Sequence, residues 1–346
     1  MPYVSAPSAI ARDHAAKRLG ALATPPGALG RLGELGVWVA ACQGRVPPQP
    51  VDRVRLVVFA GDHGVAAHGV SAFPAEVTGA MVRTLLAGRA GVSALANAHG
   101  VAVRVLDLGV DDDFLDLDER TRSSLGAFKV RRGSGAIHLE DALTSDETRA
   151  ALDAGAEVAR QEIRAGAQLL LSGDLGVGNT TPASAMVAAG LGLPGSEVVG
   201  RGTGISDEAM SHKTAVIDCA LARTGARASD PVETLTALGG ADLAATTGYL
   251  LAAAQDGVPV LLDGLISVGC ALTADRIEPG AAAWFAAGHR STEPAQALAL
   301  AKMGLEPVLD LGLRLGEGSG AVAAVPLIRS ASALLRDVAL LAELGA

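Results

Sequence analysis

The chain has 346 residues, 49% of them hydrophobic and 19% charged, which is enough apolar material for a large buried core and unlike a disordered chain. Its formal net charge of -9 comes without any run of Lys or Arg, which excludes a nucleic-acid or anionic-membrane surface, since both need clustered positive charge. Small molecules are the expected partners.

The N-terminal segment MPYVSAPSAIARDHAAKRLG carries Asp13 and lacks an apolar core before a small-residue cleavage site, so the expected location is the cytoplasm. Periodic apolar positions in RDHAAKRLGALA and LGRLGELGVWVAACQ predict helices near this end, and PLIRSASALLRDVALLAEL predicts another at the far end. The two ends are expected to pack together as a small helical cap, residues 1–35 with 327–346, on an α/β domain spanning 36–326. Cys42, Cys219 and Cys270 are odd in number and far apart; they give neither a disulfide framework nor a metal knuckle and read as core thiols.

Between the ends, the apolar runs VRLVVFAGD (54–62), VAVRVLDLG (101–109), AQLLLSGD (167–174) and VPVLLDG (258–264) each close on Gly or Asp, and helix-compatible sequence follows them. Runs without polar alternation suit parallel strands buried on both faces. The expected fold is a three-layer, Rossmann-like α/β domain, with ligands beyond the carboxyl ends of its strands.

Taken in order, the residues after these runs carry the chemistry. In AGDHGVAAHGVSAFP (60–74), Asp62 and His63 could form an acid/base or metal unit, but adjacent side chains seldom point the same way, so an orienting role is favoured. DDDF (111–114) reads as a solvated acidic turn. SGDLGVGNTTPASA (172–185) is a strand, a glycine-rich turn and a helix start, which exposes N–H groups and the positive end of a helix dipole to a phosphate. It lacks the GK[ST] of a Walker loop and the GxGxxG dinucleotide spacing; glycines that simply meet positive φ are the alternative. The uncharged stretch from Leu175 to Ser196 has a membrane-spanning length, but Asn179, Thr180, Thr181 and two prolines favour a soluble core.

VVGRGTGISDEAMSHK (198–213) brings Gly200, Gly202 and Gly204 after another short apolar run and adds Lys213, either a mobile charge for a phosphate or a solvated surface group. In AAGHRSTEPAQ (286–296), Ser291 or Thr292 could cap a helix that opens at Glu293 and Pro294, or bind a phosphate oxygen. In RLGEGSGAVAAVP (314–326), Glu317 is the only charge from Leu315 to Ile328. Apolar surroundings raise a carboxyl pKa and make a better base near neutrality, while a helix start capped by Ser319 would act the other way. The direction of the net shift is open at this level.

Together TPPGALGRL (24–32), GDHGV (61–65), GVSAFPAEVT (69–78), GNTTPA (178–183), VLLDG (260–264), EPVLDLGLRLGEGSGA (306–321) and Lys213 resemble the nicotinate-nucleotide:dimethylbenzimidazole phosphoribosyltransferase family over almost the whole chain. The resemblance implies a Rossmann-like parallel sheet, a helical domain from both ends and a homodimer. It also implies transfer of phosphoribose from nicotinate mononucleotide to 5,6-dimethylbenzimidazole with inversion, Glu317 being the catalytic base. It implies no cofactor and no metal, since no pyrophosphate leaves. By the same matching, Gly176, Gly178, Asn179, Thr180, Gly202, Gly204, Lys213 and Ser291 hold phosphate and ribose, and Phe73, Met81, Leu175 and Leu315 surround the acceptor base. Asp174 stands where the family usually has Glu, in a supporting role. Adenine, other benzimidazoles and phenolics are alternative acceptors, and a non-catalytic mononucleotide-binding protein is the alternative outside enzymes.

Overall fold

A computed structural model describes residues 3–202 and 204–345. Six strands form one sheet: β1 Val54–Gly61, β2 Ala102–Gly109, β3 Leu169–Leu175, β4 Val260–Leu262, β5 Phe285–His289 and β6 Pro307–Leu309. All pair in parallel, in the order β2-β1-β3-β4-β5-β6. Helices cover both faces, as the apolar runs required. Alternate residues feed two separate cores: Val57, Phe59, Leu170 and Leu262 face one, and Leu56, Val58, Leu171 and Leu261 face the other. The four predicted runs are β1 to β4. The apolar residues before Gly200 form no strand; Gly195–Val198 is a single helical turn.

On the first face, helix Ala241–Gln255 is buried almost throughout and lies against helix Ser145–Arg164. Two glycines permit the approach. A Cβ on Gly155 would stand 1.8 Å from Ala245 O, and one on Gly248 would stand 2.0 Å from Leu152 O. Gly155→Ala therefore forces the helices apart and is expected to cost about 3 kcal/mol. Calorimetry should show the unfolding midpoint lowered by roughly 4 °C, the unfolding entropy of so long a chain being large; an unchanged midpoint would mean that the helices separate freely.

The chain ends meet on the other face. Helix Ala9–Ala21 is tied to helix Ser319–Asp337 through Arg18, whose guanidinium donates to Leu335 O at 2.7 Å and Arg336 O at 3.0 Å. Leu22 and Leu340 form an antiparallel bridge. Helix Gly30–Gln43 runs unbroken past position 36 and helix Ser319–Asp337 past 326, so the sequence-based division falls inside two continuous helices. They pack on each other where Gly36 meets Ala331 O.

Helix Thr180–Leu191 accounts for the uncharged stretch, with Thr181 through Ala188 all buried. Among the described residues, no helix is long and apolar enough to cross a membrane. The strand order changes direction between β1 and β3, and a crevice opens beyond the carboxyl ends of the strands.

Candidate functional site

That crevice is a cleft enclosing about 1140 Å³, open mouth included, lined by residues that follow β3, β4, β5 and β6 together with helix Val77–Leu86. Of the sequence-predicted residues it gathers Met81, Asp174, Leu175, Gly176, Gly178, Asn179, Thr180, Gly202, Ser291, Leu315 and Glu317. Phe73, Gly204 and Lys213 do not line it. Phe73 is 52% exposed, and Gly204 lies beyond the rim with its φ at +102°.

One end of the cleft is the start of helix Thr180–Leu191, where the β3 turn presses on β1. A Cβ on Gly176 would stand 2.3 Å from Gly61 O, so only glycine fits there. Lys213 sits behind this turn, wholly buried, and its ammonium donates to Thr180 Oγ1 at 2.8 Å and Gly200 O at 3.2 Å. It is not the mobile or solvated charge expected from sequence, because helix Asp207–Thr224 carries it inward. Burial pulls its pKa down to about 8, with Glu293 partly opposing. The Gly202 N–H donates to Glu293 Oε1 at 2.9 Å.

Asn179 is committed to its neighbour: its amide donates to Asp174 Oδ1 at 2.6 Å. Burial, and then the negative charge of Asp242, push the Asp174 carboxyl well above the usual range against the opposing effect of His63. Asp62 and His63 diverge, as adjacent residues should. Asp62 accepts from Asp111 N–H, whereas His63 Nε2 meets Asp242 Oδ2 at 2.9 Å in a fully buried pair. Burial opposes charge on His63, but Asp242 outweighs it and raises the imidazole pKa. Among the described residues no cluster of three or more His, Cys, Asp or Glu is arranged for a metal ion.

Glu317 occupies the opposite side at 5% exposure. It sits in the left-handed region at φ +62° between Gly316 and Gly318, a strained position for a residue with a side chain. The turn is clamped from below, since a Cβ on Gly173 of β3 would stand 2.4 Å from Glu317 O. Burial raises the Glu317 pKa; the Val92 N–H, donating to Oε2 at 3.3 Å, offsets part of this, and the charge of Asp263 adds to it.

The direction left open by sequence is upward because burial dominates, and the helix start that could have opposed it is held by another acid. Ser319 does not cap the following helix. Asp263 does, accepting from Gly318 N–H at 3.1 Å, Gly320 N–H at 2.8 Å and Ala321 N–H at 3.1 Å. The helix terminus is thus already occupied by an anion and gives Glu317 no relief. Burial opposes that anion, yet the neighbouring His289, 3.5 Å away, and the backbone amides hold the Asp263 pKa below the usual carboxylate range. At β5, Ser291 Oγ accepts from Glu293 N–H at 3.4 Å and Gln296 Oε1 accepts from Ser291 N–H at 2.7 Å; neither Ser291 nor Thr292 is the cap residue of helix Pro294–Met303, which is Glu293.

Sequence reasoning missed Asp263, Glu293 and Arg314 as residues of the cleft, and Asp242 as the buried partner of His63. Asp263 and Glu293 had local signals, as the acid ending an apolar run and as the residue opening a helix; Asp242 had none, because its partner is distant in the chain, and Arg314 none, because its spacing does not set it apart from a surface charge. The arrangement offers a raised-pKa carboxylate, apolar walls from Met81, Leu175 and Leu315, and an amine-backed helix terminus across the cleft.

A family model described as Phosphoribosyltransferase matches residues 4–345. The nicotinate-nucleotide:dimethylbenzimidazole phosphoribosyltransferase of Mycobacterium marinum is 51% identical over 342 residues, covering 99% of this chain and 94% of that protein. The protein of the same name from Mycobacterium tuberculosis is 52% identical, covering 99% and 93%. The crystal structure of CobT from Thermus thermophilus superposes with a TM-score of 0.91 at 43% identity, covering 97% of this chain and 98% of that one.

Proposed function

The chain belongs to the nicotinate-nucleotide:dimethylbenzimidazole phosphoribosyltransferase family, and from that premise we propose that it moves the 5-phosphoribosyl group of nicotinate mononucleotide onto 5,6-dimethylbenzimidazole. The products are nicotinate and α-ribazole 5'-phosphate, a precursor of the cobalamin lower ligand. The observation that carries this reading is Glu317, a buried carboxylate with a raised pKa facing a glycine-lined helix terminus across one cleft.

The donor phosphate lies at the start of helix Thr180–Leu191, where the backbone N–H groups and the dipole favour an anion and Lys213 supplies charge through Thr180. The acceptor packs among Met81, Leu175 and Leu315. Its free ring nitrogen attacks the anomeric carbon, the glycosidic bond breaks, and the bonding pair neutralises the departing pyridinium. Glu317 takes the proton from the other ring nitrogen. Because the leaving group already carries positive charge, it needs little acid assistance, and orientation with removal of one proton does the chemistry. Attack from the face opposite the leaving group converts a β donor to an α product. Asp174 supports this corner through Asn179. We assign the chain to the cytoplasm as a homodimer; the net charge of -9 supports small-molecule partners and no nucleic acid.

Incubation with nicotinate mononucleotide and an equimolar mixture of dimethylbenzimidazole, adenine and phenol tests the reading. Mass analysis should find ribazole phosphate in excess over the other products; folded protein giving none of them would refute it. Lys213→Ala is expected to weaken nicotinate mononucleotide binding by about 10- to 100-fold. Since the Lys213 pKa lies near 8, the amine loses its charge as pH rises through that value, so wild-type donor affinity should fall there and the variant's should not. Isothermal titration at pH 7 and 9 checks both; equal affinities of the two proteins would contradict the assignment.

A further inference from the structure

The cleft is poor in positive charge for a donor that carries two anionic groups, a phosphate and a ring carboxylate. Its lining includes four carboxylic acids, Asp174, Asp263, Glu293 and Glu317, and among the described residues one cationic side chain, Arg314. Lys213 backs the helix terminus from behind Thr180 and answers the phosphate. Among the described residues, no second cationic side chain in that corner answers the carboxylate.

Arg314 is exposed at the mouth, three residues before Glu317, and its Nη1 lies 3.7 Å from where a Cβ on Gly204 would stand. It makes no hydrogen bond or ion pair among the described residues. Neighbouring arginines are committed: Arg201 bonds Asp207 and Ile205 O, and Arg290 pairs with Asp310 at 3.2 Å. A guanidinium left free at the rim of an acidic cleft is a fork ready for a planar carboxylate.

We propose that Arg314 grips the carboxylate of the donor's pyridine ring and so makes the enzyme select nicotinate mononucleotide over nicotinamide mononucleotide, whose ring carries a neutral carboxamide instead. The assignment rests on the transferase reading above. The phosphate is the competing anion for Arg314, and the two differ in a measurable way: phosphate is common to both donors, whereas the carboxylate belongs to one. At the mouth, the same contact would hold the departing nicotinate until it diffuses away.

The test compares full-length wild-type protein with Arg314→Met and Arg314→Lys, using nicotinate mononucleotide or nicotinamide mononucleotide as donor and dimethylbenzimidazole as acceptor. Arg314→Met should lower kcat/KM for nicotinate mononucleotide by about 10- to 100-fold and change that for nicotinamide mononucleotide by less than about threefold, so that the preference collapses. Arg314→Lys should recover part of it, and product inhibition by nicotinate should weaken in step. Equal losses with both donors would place Arg314 on the phosphate and overturn the proposal, as would an unchanged preference. Wild-type protein forming no ribazole phosphate from either donor would overturn the underlying reading and this assignment with it, and is distinct from an active enzyme with no donor preference.

Discussion

Glu317→Gln is expected to lower kcat by about 10³-fold while leaving the affinity for nicotinate mononucleotide unchanged, because the amide keeps the shape of the side chain and cannot take a proton. The Val92 N–H retains an acceptor at this position, so the turn should keep its form. The pH profile gives a second readout. Burial raises the Glu317 pKa, so the base becomes protonated, and activity falls, as pH drops through a value above the 4.5 of a free glutamate. The residual activity of the variant should lack that acid limb. Turnover within a few-fold of wild type, by a continuous assay of nicotinate release, would remove Glu317 from the mechanism.

Asp263→Ala should produce the second large effect, in two measurements at once. Removing the carboxylate leaves the N–H groups of Gly318, Gly320 and Ala321 without their acceptor in a buried place, at a cost of about 2–4 kcal/mol. The Glu317 turn loses its anchor, and a displacement of about 1 Å at a catalytic group costs on the order of 100-fold in rate. Denaturant unfolding and steady-state kinetics check the two parts. The variant should also carry its acid limb at lower pH than wild type, since the Asp263 charge that helps to raise the Glu317 pKa is gone. Kinetics and stability like those of wild type would show that the helix start holds itself in place.

The sequence exposes the sheet where strands sit in apolar runs, including the edge strand β2, whose first residues are exposed. β1, β2 and β3 are runs of seven or eight residues, and β4 is short but stands in an apolar context ended by Asp263. β6 escapes notice because it is three half-buried residues beginning with a proline at the sheet edge. β5 follows directly on a turn of 3-10 helix and carries only alanine and glycine between Phe285 and His289. The catalytic candidate is legible for a simple reason: a lone charge among apolar residues must be buried or fall on a turn, and Glu317 does both. What surrounds it is not legible. The His63–Asp242 pair spans 179 positions and the Val92 bond to Glu317 spans 225, and no local spacing encodes a contact of that range. Lys213 shows the opposite failure: its sequence context suggests a mobile or solvated charge, yet it is buried, since a single lysine on a polar helix gives no sign of which face turns inward.

The crystal structure of the wild-type protein with 5,6-dimethylbenzimidazole bound tests the central claim most directly. A Glu317 carboxylate oxygen should lie about 2.6–3.2 Å from a ring nitrogen of the base, the apolar ring edge resting on Met81, Leu175 and Leu315. A base seated elsewhere, or a Glu317 side chain turned into bulk solvent away from it, would contradict the account.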